Sequence, residues 1–227
     1  MTRHLIEATT HGVYLESTRG ESSPAGVLVG FHGQGETAAI QMAHMEAIRG
    51  GRPWHLVSVQ GLNRYYTRKG DVVAAWMTRD DREMAIADNI AYVRAVVSEV
   101  KARFADAPPR LVYCGFSQGT AMAYRAAAFA GHACHGLVIL AGDLSPDVQS
   151  HAASLPPILL GRGTLEEWYT AERARADLDH LRGAGIRVAE HVFDGGHERH
   201  ASFTTRAGAF LDELAAKPAA GRRGNDR

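Results

Sequence analysis

The chain has 227 residues, with 25 basic and 25 acidic side chains, so its formal charge at pH 7 is zero. This balance argues against a dedicated nucleic-acid-binding protein, which usually carries a basic excess, and against an acidic disordered chain. Hydrophobic residues make up 45% of the sequence, which is enough for one sizeable core. We therefore expect a single domain over residues 1–217, followed by a disordered tail over 218–227, where Ala, Gly and Arg dominate.

The sequence has no segment that resembles a membrane span or a signal peptide. No stretch approaches 18 consecutive apolar residues, and the first ten residues have no apolar core. The two cysteines, Cys114 and Cys134, lie in apolar stretches, which is typical of buried reduced thiols. These features predict a cytoplasmic protein without stable membrane insertion.

Continuous apolar runs alternate with helical patterns along most of the chain. Runs without polar alternation are typical of strands covered on both faces, as in a parallel sheet between helix layers. The alternation predicts an α/β fold, with a mostly parallel central sheet flanked by helices and right-handed crossovers. The predicted strands are 11–17, 25–32, 54–60, 110–115, 135–141, 156–161 and 186–193, and the predicted helices are 81–105, 118–130, 165–183 and 199–216.

A G-x-S-x-G motif spans 115–119, between an apolar strand and an alanine-rich helix. In this strand–turn–helix context the serine sits on a sharp turn, and the small residues on either side let strand and helix approach closely. The N-terminus of the helix then favours negative charge that develops nearby. We interpret Ser117 as a nucleophile; the alternative is a serine that caps the helix after a glycine turn.

An H-G-x-G turn over 32–35 ends the second predicted strand. In α/β hydrolases such a turn supplies one backbone N–H group to the oxyanion hole, and the residue after the nucleophile supplies the other. These donors correspond to Gln34 and Gln118. The alternative is a glycine-rich turn that binds no ligand.

A serine nucleophile needs a general base, and in this fold the chain order is serine, acid, histidine. His197 follows the last predicted strand and precedes the last helix, where the base is expected. His191 and His200 are close by in sequence, and we interpret them as surface or core histidines.

The acid that orients the base has two candidates. Glu166 follows the sixth predicted strand, and the spacing of Thr164 and Glu167 predicts a helix capping box that leaves Glu166 free. Asp143 follows the strand before it and is the rival, whereas Asp194 is too close in sequence to the base to be preferred.

The twelve histidines raise the question of a metal site. His197 and His200 are three residues apart, whereas a zincin helix needs a spacing of four. His132, Cys134 and His135 are irregularly spaced, and no second pair completes a ligand set. The sequence also lacks the glycine-rich motifs of nucleotide sites, so we expect neither a metal nor a cofactor.

Four motifs together resemble the phospholipase/carboxylesterase family of α/β hydrolases, a group of small serine esterases that includes acyl-protein thioesterases. They are FHGQGE (31–36), GFSQGT (115–120), GRGTLEEW (161–168) and FDGGHE (193–198). The resemblance extends over about residues 11–216 and implies an α/β-hydrolase fold without a large cap domain. It also implies a triad of Ser117, Glu166 and His197, no cofactor, and hydrolysis of carboxylic esters or thioesters. The family's acid is commonly aspartate, and Glu166 stands at that position here.

The segment 62–80 departs from better-known members of the family and has no clear periodicity, and long connections of this kind are often functional. Its aromatic and apolar side chains are candidates for the rim of the substrate site, together with one tryptophan that follows the candidate acid. The candidate rim residues are Tyr65, Tyr66, Trp76, Met77 and Trp168. The alternative for Trp76 and Met77 is that they pack on the following helix.

The sequence thus predicts a serine hydrolase that acts on a small-molecule ester, binds no nucleic acid, and exists as a monomer or homodimer. Two alternatives use the same fold. One is a dienelactone-hydrolase-like or peptidase-like enzyme on the same triad, although the former usually has a cysteine nucleophile. The other is a binding protein that has lost turnover.

Overall fold

The computed structural model describes residues 1–17, 24–104 and 110–216. Its strands are β1 Tyr14–Ser17, β2 Gly26–Phe31, β3 Trp54–Val59, β4 Asn63–Tyr66, β5 Val72–Ala75, β6 Arg110–Phe116, β7 Gly136–Leu140, β8 Ile158–Gly163 and β9 Val188–Phe193. Its helices are α1 Ala38–Arg49, α2 Arg82–Ala102, α3 Gln118–Phe129, α4 Pro146–Gln149, α5 Ala171–Gly183 and α6 Ala201–Ala216. The tail predicted over 218–227 lies outside the described residues.

Seven strands form the central sheet in the order β1-β3-β2-β6-β7-β8-β9. β1 pairs with β3 in the antiparallel direction, and every other pair in this sheet is parallel. The α/β fold predicted from the alternating pattern is therefore confirmed, and each of the seven predicted strands is present. Because the carboxyl ends of parallel strands meet at one edge, the loops that follow them converge there.

The sheet separates two apolar cores, and successive residues of a buried strand point to opposite cores. In β2, Val27, Val29 and Phe31 face the core that α2, α3 and α5 cover, whereas Leu28 faces the core covered by α1 and α6. This coverage on both faces explains why the strands appear in the sequence as continuous apolar runs.

The helix predicted over 165–183 begins six residues later than expected, at Ala171. The side chain of Thr170 caps it by accepting a hydrogen bond from the backbone N–H of Arg173. The capping box predicted for Thr164 is wrong, because its hydroxyl bonds to Asp194 instead, at 3.2 Å. Residues 164–170 therefore form a loop at the carboxyl end of β8.

The segment 62–80 contains a hairpin, in which β4 and β5 pair in the antiparallel direction outside the main sheet. Between β7 and β8, residues 141–157 are all described and contain only α4 and one 3₁₀ turn, so no cap domain is inserted there. None of the helices in the described ranges combines the length and the apolar character that crossing a membrane requires.

Candidate active site

Ser117 occupies the turn between β6 and α3 with φ 53° and ψ −122°. Positive φ is unfavourable for a residue with a side chain, and such strain is often found at functional sites. The turn is also too tight for side chains nearby. A Cβ on Gly119 would lie 2.1 Å from the carbonyl oxygen of Phe31, and one on Gly115 would lie 2.3 Å from that of Gly119.

Hydrogen bonds hold this strained turn in place. The backbone N–H of Ser117 donates to the carbonyl of Leu140 in β7 at 3.0 Å. The carbonyl of Ser117 accepts from the backbone N–H of Thr120 at 3.0 Å and from its hydroxyl at 2.7 Å. The side chain of Ser117 makes no capping bond to α3, so the alternative of a helix-capping serine has no support.

His197 and Glu166 lie next to each other at the carboxyl ends of β9 and β8. Nδ1 of His197 is 2.7 Å from Oε2 of Glu166, and the other carboxylate oxygen accepts the backbone N–H groups of Trp168 and Tyr169 at 2.9 and 3.2 Å. The late start of α5 leaves these N–H groups free to surround the carboxylate. The arrangement fixes an imidazole by a buried carboxylate, as a general base requires.

The imidazole of His197 is also close to the serine turn. Its ring centroid lies 5.0 Å from that of Phe116, the residue before Ser117. The His197 side chain is 36% exposed, whereas that of Glu166 is 1% exposed, so the imidazole is accessible from outside and its carboxylate partner is not.

The other candidates for acid and base lie elsewhere. Asp143 is close to Asp177; burial raises the pKa of Asp177, and the charge of Asp143 adds to that rise. His191 and His200 both contact the hydroxyl of Ser202, at 3.0 and 2.8 Å. These contacts are compatible with the interpretation of the two histidines as surface or core histidines.

The turn that carries Gln34 is fixed from two sides. The N–H of Gly35 donates to Ala74 of β5 at 2.9 Å, and Ala74 in turn donates to the carbonyl of Glu36 at 2.9 Å. At its start, the buried His32 accepts the N–H of Gly61 on Nε2 at 3.0 Å. Burial lowers the pKa of His32, which favours the neutral ring that this acceptor role needs.

A cavity of about 480 Å³ brings both predicted oxyanion residues together with part of the predicted rim. Gln34, Gln118, Tyr65 and Met77 all line it. The carboxamide of Gln118 accepts the N–H of Trp76 at 2.8 Å and donates to the carbonyl of Met77 at 3.1 Å. The side chain of Gln118 therefore holds one wall of the cavity in place.

The prediction for Trp76 is corrected by the structure. Its side chain is fully buried against Phe31, and its indole N–H donates to the carbonyl of His32 at 2.8 Å. Trp76 is therefore a core residue, because the end of β5 turns it inward. Tyr66 is 76% exposed and does not line the cavity, whereas Trp168 is half exposed with its ring edge-on to His197 at 6.4 Å.

Sequence reasoning missed several residues of this region. Asn63, Thr78 and Arg79 also line the cavity, and Glu36 and Arg199 form an ion pair beside the Gly33 turn. Glu36 ends the FHGQGE motif and Arg199 directly follows the FDGGHE motif, but no local sequence pattern predicts that the two side chains pair. Among the residues that the structure describes, no group of three His, Cys, Asp or Glu side chains has the arrangement of a metal site.

The family model for Phospholipase/Carboxylesterase matches residues 15–214. The chain belongs to the phospholipase/carboxylesterase family. A search among curated proteins finds no significant match.

Three solved structures of similar fold match this chain, all at low sequence identity. Acyl-protein thioesterase 2 from Zea mays superposes with a TM-score of 0.69 at 18% identity, covering 91% of this chain and all of that one. The carboxylesterase from Bacillus cereus superposes with a TM-score of 0.67 at 16% identity, covering 89% of this chain and 94% of that one. The phospholipase/carboxylesterase from Dyadobacter fermentans superposes with a TM-score of 0.66 at 16% identity, covering 90% of this chain and 98% of that one. These likenesses establish the α/β-hydrolase fold.

Proposed function

We propose that this family member hydrolyses carboxylic esters or thioesters through an acyl-enzyme on Ser117. The observation that carries the proposal is the 2.7 Å contact between His197 and Glu166 beside the strained Ser117 turn. A nucleophile, a base and an orienting acid are the three parts that acyl transfer requires.

In the first step, Nε2 of His197 takes the proton of the Ser117 hydroxyl as the oxygen attacks the acyl carbonyl. Glu166 holds Nδ1–H and stabilises the imidazolium that forms. The backbone N–H groups of Gln34 and Gln118 stabilise the oxyanion, and each such donor contributes roughly 3–4 kcal/mol. Collapse of the tetrahedral intermediate breaks the ester bond, and the alcohol or thiol leaves with the proton from His197.

In the second step, His197 takes a proton from water, which attacks the acyl-enzyme. The acid product leaves, and the proton returns to the oxygen of Ser117. The absence of an inserted domain over 141–157 supports an open site with access for varied small-molecule esters. Tyr65 and Met77 line the adjoining cavity, and Trp168 stands beside the base.

The test compares wild type with Ser117→Ala on nitrophenyl esters and acyl thioesters. We expect the variant to lose more than about 99.9% of kcat, because the triad acts as a unit. Ser150, an exposed serine whose hydroxyl contacts His151, provides the control Ser150→Ala. A fluorophosphonate probe should label wild type and Ser150→Ala but not Ser117→Ala. Labelling or turnover that survives Ser117→Ala contradicts the mechanism, and an unlabelled wild type favours a non-catalytic binding protein.

A cytoplasmic location and a monomeric or homodimeric state stay predictions. Size-exclusion chromatography with light scattering measures the oligomeric state directly, and fractionation of cells measures the location.

A further inference from the structure

Trp168 differs from the other two tryptophans of the chain in its exposure. Trp54 and Trp76 are 1% and 0% exposed, whereas Trp168 is 49% exposed. Tryptophan is highly buried on average, so a half-exposed indole leaves a large apolar area free for contact with a ligand. Leu165, three positions earlier in the same loop, is exposed as well. The loop 164–170 therefore presents apolar side chains at the surface of the protein.

The exposed indole lies beside the proposed base. The ring centroids of Trp168 and His197 are 6.4 Å apart, with the rings at 74° to each other. The N–H of Leu165 donates to the carbonyl of Gly195 at 2.8 Å, which ties this loop to the loop that carries His197. Neither Trp168 nor His197 lines the cavity of about 480 Å³ at the proposed oxyanion donors. Trp168 therefore belongs to the side of the site where the base lies.

Contacts on the main chain and on the ring fix the position of Trp168. Its N–H donates to Oε1 of Glu166 at 2.9 Å, and its carbonyl accepts from Nη1 of Arg173 at 3.1 Å. Cζ of Arg173 also lies 5.7 Å from the centroid of the indole ring, within the range of a cation–π contact. An aromatic side chain that is ordered before binding loses little conformational entropy when a ligand contacts it. The exposed part of the indole is thus a preformed binding surface.

The chemistry of ester hydrolysis decides which part of a substrate meets this surface. In the proposed mechanism His197 gives its proton to the leaving oxygen or sulfur, so the leaving group must lie against the imidazole and the side chains around it. We propose that Trp168 binds the leaving group and selects esters of alcohols that carry an aromatic ring. The inference rests on the proposed ester hydrolysis. A planar ring can stack on the indole or meet it edge to face, and it gains an attraction that a saturated ring of similar size lacks.

The test measures kcat/KM for 2-phenylethyl butyrate and 2-cyclohexylethyl butyrate, each corrected for its rate of alkaline hydrolysis. Both esters form the same butyryl-enzyme, so a difference in kcat/KM reports on the acylation step, in which the leaving group is still present. We expect wild type to favour the phenyl ester by about three- to tenfold. Trp168→Leu should bring this ratio close to one. Trp168→Phe should keep part of the preference, because its ring still offers an aromatic face.

Val13→Ala is the control, because Val13 is exposed and precedes β1, the strand at the opposite edge of the sheet from β9. Its ratio should equal that of wild type. A wild-type ratio of one, a ratio that Trp168→Leu leaves unchanged, or an equal fall in Val13→Ala overturns the leaving-group site. If Trp168→Leu lowers kcat/KM equally for both esters, Trp168 only shields the contact between Glu166 and His197.

If wild type hydrolyses neither ester, the nitrophenyl esters decide the proposed function and direct binding decides the aromatic site separately. For that case, 2-phenylethanol and 2-cyclohexylethanol are titrated into isotope-labelled wild type, and nuclear magnetic resonance follows the indole N–H signal of Trp168. This signal is identified as the one that Trp168→Leu lacks. A shift of the signal with 2-phenylethanol alone supports the site, whereas equal shifts with both alcohols, or no shift with either, overturn it.

Discussion

Arg199 holds both carboxylate oxygens of Glu36, with its two terminal nitrogens each 2.6 Å from one oxygen. Glu36 also accepts the N–H of Gly33 at 2.7 Å, and Arg199 follows the candidate base His197 by two residues. The ion pair therefore joins the turn that carries Gln34, the proposed oxyanion donor, to the loop that carries His197, the proposed base.

We expect Glu36→Gln to lower kcat/KM by about 10- to 100-fold, because small displacements of catalytic groups are costly. The paired side chains of Glu36 and Arg199 are only 19% and 17% exposed, so breaking the pair should also lower the free energy of unfolding by about 1–3 kcal/mol. Urea denaturation measures this loss. The exposed pair of Arg206 and Glu213 gives the control Glu213→Gln, which should change neither quantity by much.

The stabilisation by Glu36 should depend on pH in a defined direction. Burial raises the pKa of this carboxyl, but the hydrogen bonds and charge of Arg199 outweigh burial and lower it below 4.5. A lowered pKa in the folded state means that stabilisation is fully present above about pH 4.5 and is lost as pH falls through the folded value. The difference in unfolding free energy between wild type and Glu36→Gln should therefore shrink below pH 4.5. A difference that grows there contradicts the assignment.

The identity of the triad acid can be decided by comparing Glu166→Gln with Asp143→Asn. Both changes remove a charge and nearly preserve size. The first also removes the carboxylate that holds Nδ1–H of His197, so we expect kcat to fall by about 10³- to 10⁴-fold. Asp143→Asn should retain kcat within about threefold, because Asp143 does not contact the imidazole. Steady-state kinetics on a nitrophenyl ester measure both, and a larger loss in Asp143→Asn would reverse the assignment.

Much of this site can be predicted from the sequence because its parts follow parallel strands. Ser117, Glu166 and His197 each lie in the connection that follows a parallel strand, and the topology brings those three connections to one edge of the sheet. Short motifs whose backbone conformation or close packing requires glycine, such as the one around Ser117, can be recognised without tertiary information. The contact between Glu166 and His197 also depends on the late start of α5 at Ala171, which the sequence of residues 164–170 does not indicate.

Other elements depend on contacts that no local pattern records. Helix α1 was not predicted, because its buried side is interrupted by the polar Gln41 and Arg49. Gln41 is satisfied by Arg199 at 3.1 Å, which lies 158 positions away. The hairpin within 62–80 and the burial of Trp76 likewise depend on pairing with the turn that carries Gln34 and with the side chain of Gln118.

The side chain of Gln118 gives a test of how the cavity wall is positioned. Gln118→Ala keeps the backbone N–H that we assign to the oxyanion hole but removes both bonds to the segment of Trp76 and Met77. We expect KM to rise about tenfold while kcat falls by less than about threefold, because the released wall mainly affects substrate binding. Michaelis–Menten kinetics separate the two parameters. Gln149→Ala, at the exposed end of α4, is the control, and a fall in kcat alone in Gln118→Ala would argue against a positioning role.

Asp177 gives a prediction about stability at high pH. It lies buried beneath the site, where its Oδ2 accepts the N–H of Leu144 at 2.8 Å and the hydroxyl of Tyr169 at 3.0 Å. Burial raises the pKa of Asp177 above its ordinary value of 3.8, with a further rise from the charge of Asp143, and these outweigh the hydrogen bonds. The folded state therefore holds its proton more tightly than the unfolded state does, so unfolding free energy falls as pH rises from 3.8 to the folded value.

Asp177→Asn should remove the loss of unfolding free energy that comes from ionising this buried carboxyl, because the amide oxygen still accepts both hydrogen bonds and carries no charge. We expect the variant to melt at least about 2 °C above wild type at pH 8 and to lose that advantage below pH 3.8. Asp179→Asn, an exposed change on the same helix, should leave the melting temperature almost unaltered at both pH values. Differential scanning calorimetry across this range provides the measurement. A variant that melts below wild type at pH 8 would mean that the charged carboxylate strengthens its two hydrogen bonds by more than its burial costs.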